Sequence, residues 1–87
     1  MKEFISKLGI NLTGTMVQGD YVIDIPDSDV YSRVFTLLDN SELVTVSETQ
    51  SVVNEENAVS VFVNSMYTLS LIGDLENDVY TLVVSAR

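Results

Sequence analysis

The chain has 87 residues, with thirteen Asp and Glu against four Lys and Arg, and its formal net charge is −9. It contains no cysteine and no histidine, which excludes a disulfide framework, a thiolate metal site and the commonest near-neutral acid/base. An apolar fraction of 46% is ordinary for a folded domain. We therefore expect a single acidic domain over residues 1–87, whose surface repels nucleic acid and favours a basic partner. A simpler alternative is that the charge only keeps the protein dispersed.

The N-terminal residues predict a short helix over Glu3–Leu8, because Phe4, Ile5 and Leu8 share one helical face and Gly9 follows as a stop signal. This segment has neither a long apolar run nor a small-residue cleavage pattern. The sequence therefore predicts no signal peptide, no transmembrane span and a cytoplasmic location.

The segment Thr15–Ile25 alternates with a period of two residues and predicts one β-strand. The face expected to point into the core carries Val17, Gly19, Tyr21, Ile23 and Ile25. The face expected to point to water carries Met16, Gln18, Asp20, Val22 and Asp24. Asp20 and Asp24 thus point the same way, about 13 Å apart at the rise of a strand. Charges of this kind also protect an edge strand from unwanted pairing.

Pro26 ends this strand, and an amphipathic helix is predicted after it. Asp27 and Ser28 can cap the helix, and Asp29 lies in its first turn, where the helix dipole favours negative charge. The helical spacing of its apolar face is carried by Val30, Val34, Leu37 and Leu38. The segment Asp39–Ser41 closes the helix.

The remainder predicts four strands, at Leu43–Val53 with a bend near 48–50, Ala58–Val63, Met66–Ile72 and Val79–Val84. The turns between them are Asn54–Asn57, Asn64–Ser65 and Gly73–Asp78. Short turns between successive strands imply antiparallel pairing. The predicted fold is therefore α+β, an antiparallel sheet of about five strands with two helices, in the order α-β-α-β-β-β-β.

Catalytic chemistry is difficult to build from these residues. Nucleophilic catalysis needs a base beside Ser, Thr or Cys, and the lysines occur only at Lys2 and Lys7. Asp74–Asp78 places acids at alternating positions as calcium loops do, but Val79 stands where such a loop needs glycine, and the later bidentate glutamate is missing. We predict that the protein is not an enzyme and needs no cofactor or metal.

Four carboxylates lie within ten residues at the strand–helix corner: Asp20, Asp24, Asp27 and Asp29. Their local potential is similar to that of a run of DNA phosphates, which a groove lined with Lys and Arg accepts. The alternative explanation is a protected edge strand followed by a well-capped helix.

The segment Gln18–Val30, anchored on Pro26, resembles the phage-encoded uracil-DNA glycosylase inhibitors, a family of small acidic DNA mimics. The family has a short helix, an acidic first strand that ends in proline, a second helix that begins with acidic residues, and an antiparallel sheet. This order of elements can be aligned with nearly the whole chain. Asp20-Tyr21-Val22 occupies the family's Glu-Ser-Ile motif, which enters the DNA groove of the enzyme. Asp27, Asp29 and Val30 resemble the family's residues after the proline. The segments Leu71–Asp74 and Glu76-Asn77 resemble its last hairpin.

The chain also departs from this family. Asp24 stands where the family has an apolar residue that lines a cavity. The family's longer loop between the third and fourth strands is reduced to Asn64-Ser65. The first helix, with Lys2 and Lys7, is less acidic.

The resemblance implies a monomeric inhibitor that binds uracil-DNA glycosylase 1:1 without a cofactor, in the host cytoplasm if the chain is phage-encoded. The implied contact residues are Asp20, Tyr21, Val22, Asp24, Asp27 and Asp29. The implied hydrophobic pocket, which takes the apolar side chain that the enzyme inserts into DNA, comprises Val30, Val34, Leu37, Val44, Val61 and Leu82. The alternative role of these six residues is ordinary core.

Two other functions stay open from the sequence. One is a DNA mimic directed at another nucleic-acid enzyme, such as a CRISPR effector or a restriction enzyme. The other is a small adaptor or structural domain that pairs through an exposed strand. Association that slows steeply with salt favours mimicry over strand pairing.

Overall fold

A computed structural model describes the backbone of residues 1–54 and 57–87 and the side chains of residues 1–47 and 57–87. The helices are α1 (Lys2–Lys7) and α2 (Ser28–Asp39). The strands are β1 (Thr15–Val17), β2 (Asp20–Ile25), β3 (Thr45–Asn54), β4 (Asn57–Val63), β5 (Tyr67–Asp74) and β6 (Val79–Ala86). They form one antiparallel sheet in the order β1-β2-β6-β5-β4-β3. The α+β class is confirmed, with six strands rather than about five. Neither helix in the described part of the chain is long and apolar enough to cross a membrane.

The predicted single strand over Thr15–Ile25 is instead a hairpin of β1 and β2. Val17 pairs with Asp20, which leaves a two-residue turn at Gln18-Gly19, and both turn residues have positive φ, of 52° and 89°. This is the backbone that a type I′ hairpin turn requires. Val17, expected in the core, is therefore 50% exposed on the short edge strand. β1 covers β2 only at Asp20–Val22. Protection of a sheet edge therefore does not explain Asp20, but it still accounts for Asp24, whose strand partner is β6 alone.

The hairpin turn gives a stability prediction. Glutamine is rare at φ of 52°, whereas asparagine tolerates this region. Gln18→Asn should therefore raise the free energy of unfolding by about 0.3–1 kcal/mol in urea titration. Gly19→Ala serves as the matched control, because nothing lies within 4 Å of its added Cβ and only backbone strain at φ of 89° opposes it. It should lose about 1–2 kcal/mol, and a gain there would contradict the assignment of the turn.

The corner from β2 to α2 follows the local signals in the sequence. β2 ends at Ile25, directly before Pro26, and Asp27 caps α2 through a hydrogen bond of 2.9 Å from Val30 N to its Oδ1. Asn40 ends the helix. The predicted capping and bounds of this helix are confirmed.

Both helices pack on one side of the sheet, here called the inner face. The strands contribute alternate residues to it: Tyr21, Ile23, Ile25, Ser60, Phe62, Leu69, Leu71, Tyr80, Leu82 and Val84. Ile5 and Leu8 from α1, and Val34 and Leu38 from α2, complete the buried core. Ring contacts join the layers, with centroids 4.9 Å apart for Phe4–Tyr67 and for Tyr31–Tyr80.

The opposite side, here called the outer face, carries the alternating residues between these core positions. β3 and β4 pair with register shifts between Val46 and Glu48 and between Glu48 and Ser51, which agrees with the predicted bend. The first residue of the predicted third strand, Met66, instead lies in the turn before β5 and is 61% exposed. Glu55 and Glu56, from the predicted turn, lie outside the described residues.

Candidate functional site

The start of α2 and the turn between β5 and β6 meet at one end of the sheet. The Tyr80 hydroxyl donates to the Asp78 carboxylate in that turn and accepts from Ser28, the first residue of α2. Tyr80 also pairs with Ile25, the last residue of β2. Six carboxylates belong to the segments that meet at this end of the sheet, here called the acidic end: Asp24, Asp27, Asp29, Asp74, Glu76 and Asp78, of which Asp24 and Asp74 lie on the outer face.

Local hydrogen bonds hold part of the acidic end in place. Asp74 accepts from the backbone N of Asn77 at 3.1 Å through Oδ1 and from its Nδ2 at 2.9 Å through Oδ2. These bonds, above all the one from the Asn77 side chain, lower the pKa of Asp74, because they stabilise the charged carboxylate. Within the described residues no group of His, Cys, Asp and Glu is arranged to hold a metal ion.

Asp74, at the end of β5, and Glu76 and Asp78, in the β5–β6 turn, are not among the contact residues predicted from the sequence, where this segment only resembles an imperfect calcium loop. Their proximity to Asp24 and Asp27 depends on β2 pairing with β6, two strands far apart in the chain. The spacing of residues does not encode that neighbour relationship. The positive φ of 55° at Asp78 belongs to the tight turn that brings its carboxylate to Tyr80.

The predicted contact residues are divided between two places. Asp24, Asp27 and Asp29 belong to the acidic end and are exposed. Asp20 lies half-buried at the other end of β2, about 13 Å from Asp24 at the rise of a strand, so it does not join them.

The other two residues of the predicted contact motif, Tyr21 and Val22, lie in different environments. Tyr21 is 5% exposed in the core, and its hydroxyl accepts a hydrogen bond of 2.8 Å from Gly14 N. Its side chain is therefore not available to a partner in this structure. Val22 lies half-buried on the outer face.

A cleft of about 280 Å³ lies between α2 and the segment that follows α1. It is lined by Gly9, Ile10, Asn11, Leu12, Val30, Arg33, Val34 and Leu37. Leu37 is 39% exposed, which is unusual for a leucine on the packed side of a helix, and the surface of α2 beside it is formed by Ser32, Arg33 and Thr36. The cleft has the size and lining to accept one aliphatic side chain.

The cleft contains half of the predicted hydrophobic pocket. Val30, Val34 and Leu37 line it. Val44 and Leu82 are core residues, 9% and 0% exposed, and do not line it. Val61 points to the outer face, because its neighbours Ser60 and Phe62 occupy the inner one. Sequence reasoning missed the segment 9–12, whose role depends on α1 docking beside α2.

The link between Tyr80 and Asp78 predicts how stability depends on pH. The hydrogen bond to the Asp78 carboxylate, with burial, raises the pKa of Tyr80, and burial raises that of Tyr31. Above about pH 10 the unfolded chain releases these protons while the folded protein retains them, so the unfolding free energy should fall as pH rises through the folded-state values.

Urea titrations between pH 8 and 11 test this expectation. Tyr80→Phe should make the alkaline decline shallower, while Tyr67→Phe serves as a control at a half-buried tyrosine outside the acidic end. An unchanged alkaline slope in Tyr80→Phe would contradict the contribution of Tyr80.

No family model, curated protein or solved structure matches the chain. The resemblance to the uracil-DNA glycosylase inhibitors therefore stands on the residues quoted for it, and function has to be argued from the acidic end and the cleft.

Proposed function

We propose that the protein is a DNA-mimicking inhibitor of uracil-DNA glycosylase. The observation that carries the proposal is the arrangement of α2, which begins among clustered carboxylates and continues as one wall of an apolar cleft. Asp27 and Val34 are seven residues apart, about 10 Å along the helix. Phosphate-like charge and an apolar socket thus lie within the reach of one DNA-binding groove.

The acidic end supplies the first half of the mechanism. Its carboxylates accept charge-assisted hydrogen bonds from Lys and Arg groups that otherwise hold DNA phosphates. Such complementarity accelerates encounter and excludes partners with acidic surfaces. Since Asp20 lies apart and Tyr21 is buried, the proposed contact set is Asp24, Asp27 and Asp29, joined by Glu76 and Asp78.

The cleft supplies the second half. A glycosylase that flips uracil out of the duplex inserts an apolar side chain into the gap. In the proposed complex that side chain enters the cleft beside Val30, Val34 and Leu37 instead. Its burial slows dissociation, as an apolar anchor does at the centre of an interface. Neither half needs a cofactor.

Titration of a bacterial uracil-DNA glycosylase with the protein, on a uracil-containing oligonucleotide, tests the proposal. We expect complete inhibition of uracil excision near one equivalent. Leu37→Lys, which replaces an apolar wall of the cleft with a second cation beside Arg33, should raise the concentration needed by about tenfold or more. Leu43→Lys is the matched control, a similarly exposed leucine outside the cleft. Full excision at a large excess of wild-type protein would exclude this enzyme as the target.

A further inference from the structure

The outer face of the sheet is not covered by either helix. Its aliphatic positions on β2, β4, β5 and β6 are half-buried: Val22, Val59, Val61, Val63, Ile72 and Val83. Val22 pairs with Val83, and Val59 pairs with Ile72, while Ser70 and Thr81 lie between these two apolar pairs. The positions between them carry short side chains: Thr68, Ser70, Thr81 and Ser85. Such a surface is flat and apolar, which suits packing against another element.

The charged side chains that strands β2, β4, β5 and β6 place on this face are all acidic. Three acids occupy outer-face positions there: Asp20, Asp24 and Asp74. None of the six described strands contains lysine or arginine, and the cations lie on the helices and at the C-terminus: Lys2, Lys7, Arg33 and Arg87. A second copy would set these acids against each other at a net charge of −9 for each chain, so the charge favours a cationic occupant.

We propose that the outer face docks a cationic amphipathic helix of a partner protein. Asp20 and Asp24 are about 13 Å apart on β2, the length of about nine helical residues. Lysine or arginine side chains at that spacing reach both carboxylates while the apolar stripe of the helix covers Val22 and Val83. The site shares Asp24 with the proposed glycosylase contact, but its apolar residues lie on the side of the sheet opposite the cleft beside α2.

A helix suits the surface better than an added strand. The edge strand β1 has only three residues, and the other edge, β3, has repeated register shifts against β4. Because of these features, both edge strands are poor templates for the addition of a further strand. The apolar pairs Val22–Val83 and Val59–Ile72 lie on the central strands of the sheet instead, where a helix packs.

Two synthetic helical peptides of about 18 residues test the proposal. They share one leucine stripe, flanked by lysine in one and by glutamate in the other. The lysine peptide should bind 1:1, with NMR shift changes confined to the outer face, and the glutamate peptide at least about tenfold more weakly. Val83→Lys and Ile72→Lys should each weaken the lysine peptide by about tenfold or more, while Leu43→Lys, exposed elsewhere, leaves it unchanged.

Additional controls distinguish loss of peptide binding from loss of the fold and from dimer formation. If a lysine variant unfolds, Val83→Thr retains the β-branched shape and should still weaken binding measurably. Val83→Lys should leave any glycosylase inhibition at the wild-type level. Failure of the outer-face proposal can therefore be distinguished from failure of the proposed function. Shift changes on α1 or α2, absence of peptide binding, or unaffected binding in Val83→Thr would overturn the proposal. A dimer in sedimentation that Val83→Thr dissociates would also overturn it, by identifying a second copy as the occupant.

Discussion

Replacing Gly14 with alanine should destabilise the protein more than any other single methyl addition described here. A Cβ at this position would lie 2.5 Å from the backbone oxygen of Val22, 2.8 Å from Ile23 Cγ1 and 3.0 Å from Tyr21 Cζ. The first contact is with backbone in an internal strand, which cannot rotate away as a side chain can. The shift would also strain the hydrogen bond of 2.8 Å from Gly14 N to the Tyr21 hydroxyl.

We expect Gly14→Ala to lower the free energy of unfolding by about 2–4 kcal/mol in urea titration. That is a large share of the total stability of a small domain. Tyr21→Phe separates the two causes, since it removes the hydrogen bond without adding an atom and should cost about 1–2 kcal/mol. A loss below about 0.5 kcal/mol for Gly14→Ala would show that β2 is not held against this segment as described.

The corner around α2 could be predicted because its signals are local. A proline, a capping aspartate and helical spacing of apolar residues fix where the helix starts and which side it buries, and they act over a few residues. The hairpin at Gln18-Gly19 has a weaker signal. Glutamine is uncommon at positive φ, so the period-two pattern continued through the turn and predicted one long strand.

The cleft contains only three of the six predicted pocket residues for a related reason. β4 is apolar on both faces, with Val61 on one side and Phe62 on the other, so alternation does not reveal which side is inward. The docking of α2 decides which side is inward, since the ring of Phe35 packs against that of Phe62 with centroids 6.1 Å apart. The contribution of the β5–β6 turn to the acidic end could not be predicted either, because it depends on the pairing of β2 with β6 rather than on the spacing of residues in the sequence.

If uracil-DNA glycosylase is the target, as proposed, neutralising the acidic end should slow association with it far more than neutralising acids elsewhere. The test variant carries Asp24→Asn, Asp27→Asn and Asp29→Asn. Asparagine retains the capping ability of Asp27, and the lost interactions with the helix dipole should cost only about 1 kcal/mol of stability. Association should slow by about 10- to 100-fold at low salt, because steering depends on the local field at the contact.

The control triple variant carries Glu3→Gln, Asp39→Asn and Glu42→Gln, three exposed acids outside the acidic end. Both variants change net charge equally, so their difference isolates location from total charge. The control should slow association by about threefold or less, since a screening length of about 8 Å at physiological salt limits the reach of distant charges. Stopped-flow binding across a salt series measures both rates. Equal slowing would mean that net charge alone drives encounter, and the acidic end would lose its role as the contact surface. A rate insensitive to salt in the wild type would instead favour assembly through an apolar face or an exposed strand.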